Sequence, residues 1–287
     1  MHDILTRAWA ERYEKLIDAR CHHGYITEKT KSDYSRMIRR VLCFWGDDAL
    51  SAITVADIAD KIHLIAAQHP HAARRFRLNL CDFFQEAQRD GLMPLGYNPA
   101  LVTREPFTPV TTNRLTLSEW SAIFCRAESV APRYFVIAML LALVAAQRRG
   151  DIVSFHSTHI FDGHLHIKQQ KTGEMIALPL SLRLNALDIN LADVVAMCPP
   201  CGLLLQQGNG KPVNAWSLSY WFARCRDETI PRPKIGRPPS FREQRSLSER
   251  LYREEGIDTR TLLGHRHQSM TDQYNSLRGR DYRRLIL

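Results

Sequence analysis

The 287 residues predict a mainly α-helical protein with a small antiparallel β-sheet, split into an N-terminal four-helix bundle and a larger C-terminal unit. Three observations carry this. Apolar residues recur at helical spacing in four stretches of residues 1–97. Segment 98–114 holds three prolines and four threonines, so it makes few contacts and reads as a linker. In unit 115–287, two alternating stretches flank the turn Lys171-Thr172-Gly173 within otherwise helical patterns.

The elements follow in order. Leu5 to Arg20 carries Trp9, Tyr13, Leu16 and Ile17 on one helical face. Thr27 to Phe44 has Tyr34, Ile38, Val41 and Leu42 as its stripe, and Gly46-Asp47-Asp48 ends it. Thr54 is placed to cap a third helix with Ile58, Ile62 and Ile65 facing inward. Pro70 opens the fourth, with Phe76, Leu80, Phe83, Phe84 and Ala87, and Gly91 closes it. Beyond the linker, Thr116 caps a helix, and the apolar run Tyr134 to Val144 predicts a buried one. Leu165 to Gln170 and Met175 to Leu180 read as a hairpin. Pro231 to Pro239 is a basic, proline-rich loop. Gly264 breaks a helix, and Ser269 is positioned to start the next.

The formal charge of +9 and pI of about 9.3 favour a polyanionic partner, nucleic acid before an anionic membrane. No apolar run approaches the roughly 20 residues of a membrane span, and the N-terminus has no signal-like stretch. Seven scattered cysteines argue against a disulfide framework and for a reducing compartment. Cys198-Pro-Pro-Cys201 has no second pair to complete a zinc set, so it reads as structural and no metal is expected. Helical cations at Lys29, Lys31, Arg36, Arg39, Arg40, Arg74, Arg75 and Arg77, with Arg232, Lys234 and Arg237 in the loop, are candidate phosphate contacts.

Arg148, Lys171, Arg245, His265 and Tyr274 supply two guanidinium groups, a lysine, an imidazole and a phenol. Cleaving a phosphodiester without a metal requires neutralised phosphate charge, an aligned nucleophile and a proton for the leaving oxygen, which this set can meet. Taken singly, each has an ordinary reading as a salt-bridged or solvated side chain. Asp151, three residues after Arg148, reads as lying on the same helical face, where it orients that guanidinium or forms a structural pair with it. Arg149, His267, Tyr252 and Tyr282 read as bystanders.

The ordered motifs Gln147-Arg148…Gly150-Asp151, Lys171-Thr172-Gly173, Arg245-Ser-Leu-Ser…Arg250-Leu-Tyr252, Leu262-Leu-Gly-His265 and Gln273-Tyr274 resemble the tyrosine recombinase family, lambda-type phage integrases in particular. The likeness runs from about Leu5 through nearly the whole chain. It implies a core-binding domain at 1–97 and a catalytic domain at 115–287 that together clamp duplex DNA. Tyr274 then forms a 3′-phosphotyrosyl link, Arg148 and Arg245 hold the phosphate, and Lys171, with Lys168 as the fallback, protonates the departing 5′ oxygen. No cofactor, metal or ATP is implied. The implied partner is double-stranded DNA with paired half-sites, bound by four protomers that are monomers when free. Accessory DNA-bending proteins of host or phage fit the same picture, as does the bacterial cytoplasm at the nucleoid.

Two departures stand out. The family usually has histidine where this chain has Arg242. Arginine cannot accept a proton, so that duty falls to His265 or water, or is weakened. Lambda-type integrases also carry an N-terminal arm-binding domain, whereas this sequence starts at the core-binding region. A type IB topoisomerase-like relaxing activity and a catalytically weakened DNA binder remain as alternatives. The apolar end Leu285-Ile286-Leu287 is too apolar for a free terminus and is expected to pack as a strand, on its own domain in the free monomer and on a neighbouring protomer in the DNA-bound assembly.

Overall fold

A computed structural model describes residues 4–276. The chain forms two compact units, Met1–Pro109 and Val110–Leu287. In the first, the helices are α1 (Thr6–His22), α2 (Glu28–Trp45), α3 (Val55–Ala66), α4 (Pro70–Arg89) and the short α5 (Pro99–Val102). Trp9, Tyr13, Ile38, Val41, Ile58, Ile62, Phe76, Leu80, Phe83 and Phe84 meet in one core. Burial of such side chains contributes about 1.5–3 kcal/mol each before entropy is counted. Thr27 accepts from the Thr30 amide, and Thr54 and Asp57 cap each other reciprocally, so α2 and α3 begin where hydroxyls satisfy orphan amides. Arg20 of α1 binds Asp82 and Glu86 of α4, and the Tyr13 hydroxyl donates to Asp82 at 2.5 Å, tying the two helices through half-buried charge.

Segment 98–114 is not a bare linker. The Asn98 side chain caps α5 and donates to the Cys81 carbonyl, so residues 98–103 pack onto the first unit. At the other end Asn113 and Arg114 are buried in the second. Proline and threonine content signals irregular backbone, not absence of contacts.

The second unit begins with α6 (Leu117–Val130), capped by Thr116 and Glu119, and α7 (Arg133–Val144). Helix α7 runs through the core, where Phe135 and Ile137 to Val144 are all buried. After α8 (Arg149–Ile152) come β1 (Ile160–Phe161), β2 (His164–Lys168) and β3 (Met175–Pro179), an antiparallel sheet in that order with Lys168 opposite Met175. Strands β4 (Arg183–Leu184) and β5 (Ile189–Asn190) pair separately and lead into α9 (Leu191–Ala196). Helices α10 (Ala215–Thr229), α11 (Glu243–Glu254), α12 (Thr259–Leu263) and α13 (Gln268–Asn275) complete it. The predicted hairpin is present; β1, the β4–β5 pair and α9 are additions, too short for a periodic signal. Helix α13 starts at Gln268 after His267 with no side-chain cap, not at Ser269.

Candidate active site

Five separate segments meet at the site. Helix α7 ends at Val144 with Ala145 as its C-cap, and Ala146 just beyond takes the left-handed conformation at φ 56°. That turn aims the Ala146 carbonyl at Arg245 Nη1, 2.6 Å away. Arg245 lies on α11 and is 2% exposed, with no carboxylate within salt-bridge distance among the described residues, which is rare for a guanidinium. Its other anchors are the Leu263 carbonyl at 2.5 Å, Gln147 Oε1 at 3.4 Å and His265 Nε2 at 3.3 Å. Burial, then the nearby Arg148, lower its pKa to about 10, leaving it charged at neutral pH.

Helix α12 stops at Gly264, φ 59°, and the His265 amide closes back onto the Arg260 carbonyl. The turn drops His265 into the interior beside Arg245. Arginine only donates, so Nε2 accepts; Nδ1 therefore carries the proton and donates to Thr271 Oγ1 at 2.9 Å. Burial, Arg245 and Arg148 lower the His265 pKa to about 4, so the ring is neutral near pH 7.

Tyr274, on α13, is half-buried with its ring centroid 5.3 Å from that of His265 and 5.6 Å from Arg245 Cζ. Burial alone would raise its pKa, but Arg245, Arg242 and Arg148 together bring it below the ordinary tyrosine value. Arg242 is exposed and reaches the phenol from the solvent side. Helix α13 is held by its own backbone: Arg114 donates to the Gln273 and Ser276 carbonyls, and Ser246 Oγ donates to the Tyr274 carbonyl at 2.7 Å.

Arg148 does not sit within a helix. It caps α8 from an extended conformation, and its Nη1 donates to Gln169 Oε1 at 2.7 Å. Asp151 therefore plays a different part from the one its spacing suggested. It is buried, and its Oδ1 accepts from the Gln170 amide at 2.8 Å, holding the start of the hairpin turn. Lys171 is exposed on that turn, as expected of a side chain that must reach outward. Arg149 is turned away, onto Ser219, and His267 is exposed. Tyr252 is buried, its hydroxyl on the Val144 carbonyl. Tyr282 and the tail beyond Ser276 lie outside the described residues.

No protein-family model matches the chain. The prophage integrase IntE of Escherichia coli K12 is 42% identical over 295 residues, spanning 99% of this chain and 78% of that protein. The integrase of enterobacteria phage P21 is 39% identical over 293 residues, spanning 98% and 76%. A lambda integrase tetramer bound to a Holliday junction superposes with a TM-score of 0.90 at 31% identity, over 99% of this chain and 81% of that one. The chain belongs to the lambda-type phage integrases.

As a tyrosine recombinase of this kind it carries site-specific DNA recombination chemistry. Its candidate DNA cations divide by what already holds them. In the first unit, Arg36 and Arg75 share Asp33 at 3.0 and 2.8 Å, Lys31 pairs with Asp18 at 2.8 Å, and Arg74 with Glu105. Arg77 donates to the Thr103 and Leu101 carbonyls, at the end of α5. Arg40 lies over the Phe76 ring. Among the described residues, Lys29 and Arg39 have no carboxylate partner, and both are exposed. In the second unit Arg232, Lys234 and Arg237 are exposed on the predicted loop, whose backbone at Arg237 pairs with Thr111 and Asn113.

Sequence reading passed over Gln169, Thr271 and Arg114. Gln169 offers no charge or periodicity signal; only its place two residues before Lys171 marks it. Arg114 looked like the last residue of a linker.

Proposed function

We propose that the chain is a site-specific DNA integrase that breaks and rejoins strands through Tyr274. The Tyr274 oxygen attacks the scissile phosphorus in line, the bond from phosphorus to the 5′ oxygen breaks, and a 3′-phosphotyrosyl link remains. Arg148, Arg245 and Arg242 neutralise the charge that builds on the phosphate oxygens. Lys171 gives its proton to the departing 5′ oxygen. The phenol proton leaves to water, because the one acceptor nitrogen of His265 is occupied by Arg245 and a positive charge on the ring is opposed by two arginines. His265 acts as the prop that aims Arg245. A 5′ hydroxyl of the partner strand then reverses the step, and because the bond energy stays in the phosphotyrosine neither ATP nor a cofactor is consumed.

The observation that carries the reading is the convergence of Arg245, Arg242 and Arg148 on one half-buried phenol whose pKa they lower against the effect of burial. The partner is double-stranded DNA with paired half-sites, bound by four copies that are monomers when free, with accessory DNA-bending proteins aiding synapsis. The setting is the cytoplasm of a bacterial host, at the nucleoid; no described helix is long and apolar enough to cross a membrane. Tyr274→Phe is expected to bind half-site DNA like the wild type and to form no covalent complex on a nicked suicide substrate. Covalent trapping by the Phe variant would remove Tyr274 from its role. Arg148→Ala and Arg245→Ala are each expected to slow cleavage by about 10²-fold or more.

A further inference from the structure

The hairpin lysine and the two buried-side arginines come from three distant parts of the chain, yet one side chain touches the supports of all three. Gln169 is fully buried. Its Nε2 donates to Gln147 Oε1 at 2.9 Å and to the Leu263 carbonyl at 2.9 Å. Its Oε1 accepts from Arg148 Nη1 at 2.7 Å and from Thr172 Oγ1 at 2.9 Å. A carboxamide has two N–H donors and an oxygen with two lone pairs, so every hydrogen-bonding position is used. The four partners also settle which end is oxygen, since Arg148 can only donate and the Leu263 carbonyl can only accept. Gln147 Oε1 and the Leu263 carbonyl both receive Arg245 as well, so Gln169 and Arg245 share two acceptors. Gly264 is part of the same fit: a Cβ there would lie 2.8 Å from Gln169 Nε2.

We propose that Gln169 is the positioning residue that couples the Lys171 turn to Arg148 and Arg245, so that the acid and the phosphate-binding charges are placed together. The proposal rests on the functional reading above, in which Lys171 protonates the leaving oxygen. Thr172 is the link: its hydroxyl ties the residue next to Lys171 to the amide that also holds Arg148. Without the amide, the turn keeps its Asp151 anchor and its strands but loses the tie that places Lys171 relative to the guanidinium groups.

The test uses two nicked half-site substrates. One has the natural scissile phosphate; the other carries sulfur in place of the bridging 5′ oxygen. A thiol has a pKa of roughly 8.5, so a thiolate departs without a proton donor near neutral pH, whereas an alkoxide does not. Gln169→Leu is expected to form covalent complex about 10²-fold slower on the natural substrate. The sulfur substrate should restore most of that loss, as it should for Lys171→Ala, and restore little for Arg148→Ala, whose defect is in charge neutralisation. Thr172→Val, at an exposed position, should show a smaller, sulfur-restored loss of about tenfold, and it carries the test if Gln169→Leu does not fold.

Restoration of Lys171→Ala without restoration of Gln169→Leu and Thr172→Val overturns the positioning role and leaves the acid assignment standing. Restoration of the Gln169 and Thr172 variants without Lys171→Ala overturns Lys171 as the acid. Near wild-type cleavage of the natural substrate by both the Gln169 and Thr172 variants also overturns the proposal.

Discussion

His265 is held neutral by its surroundings, and that has a consequence for stability. Its pKa is about 4 in the folded chain against 6.5 for the free side chain. The unfolded chain therefore binds the proton more readily between those values. The contribution is fully present above pH 6.5 and is lost as pH falls toward 4, by on the order of 3 kcal/mol. Urea unfolding of wild type and His265→Gln across pH 4 to 7 should show a steeper decline for the wild type; parallel curves would mean that His265 titrates normally. Arg242 is the other residue where side-chain chemistry decides. It lends permanent charge to the phenol from the solvent side. Histidine there would restore a proton acceptor at some loss of charge. Arg242→His is expected to cleave at least as fast as the wild type at neutral pH. A large loss at unchanged DNA binding would make Arg242 an indispensable phosphate anchor.

The tyrosine depends on where α13 rests, and α13 rests on Arg114. That guanidinium is 6% exposed, pairs with Glu243 at 3.0 Å, and donates to the Gln273 and Ser276 carbonyls. Removing one partner of a buried pair costs about 3–5 kcal/mol, whereas an exposed pair contributes about 1 kcal/mol at most. Arg114→Ala should therefore lower the urea midpoint far more than Arg126→Ala, which breaks the exposed pair with Glu228. It should also slow covalent complex formation, because the carbonyl ends of α13 lose their clamp. Similar small shifts for both variants would show that α13 is held otherwise. The hairpin follows the same logic: Asp151 and Gln169 anchor its turn from the buried side, leaving Lys171 free at the tip.

For the molecule as a whole, net charge of +9 states that a polyanion is attracted, not which cations meet it. Cations already bound to carboxylates or carbonyls release fewer counterions on binding than free ones. Lys29→Ala and Arg39→Ala should each flatten the dependence of log K on log salt by about 0.9 on half-site DNA. Arg77→Ala should leave that slope unchanged and destabilise the first unit, since its donors serve the Thr103 and Leu101 carbonyls. Equal slope changes for all three would mean that Arg77 leaves α5 to contact phosphate.

The bundle helices, the buried α7 and the Lys171 hairpin were legible because each announces itself locally, by period, cap or turn chemistry. Arg148, Lys171, Arg245, His265 and Tyr274 were legible as an ordered set of motifs, and Arg242 as a departure from it. What those residues do to one another was not, because the relation depends on separations in space between segments far apart in the chain. Asp151 looked like a helical neighbour of Arg148, yet the backbone leaves Arg148 outside the helix and gives Asp151 the Gln170 amide. For His265 the sequence left the proton-accepting duty open between the imidazole and water, and only the fold shows that Arg245 faces its Nε2 at 3.3 Å. Gln169 carries no charge and no pattern, and becomes meaningful only when packing brings four hydrogen-bonding partners to one buried amide. Local sequence determines which groups exist and which elements carry them; tertiary structure decides their hydrogen bonds and protonation, because both depend on burial and on neighbours that only folding supplies.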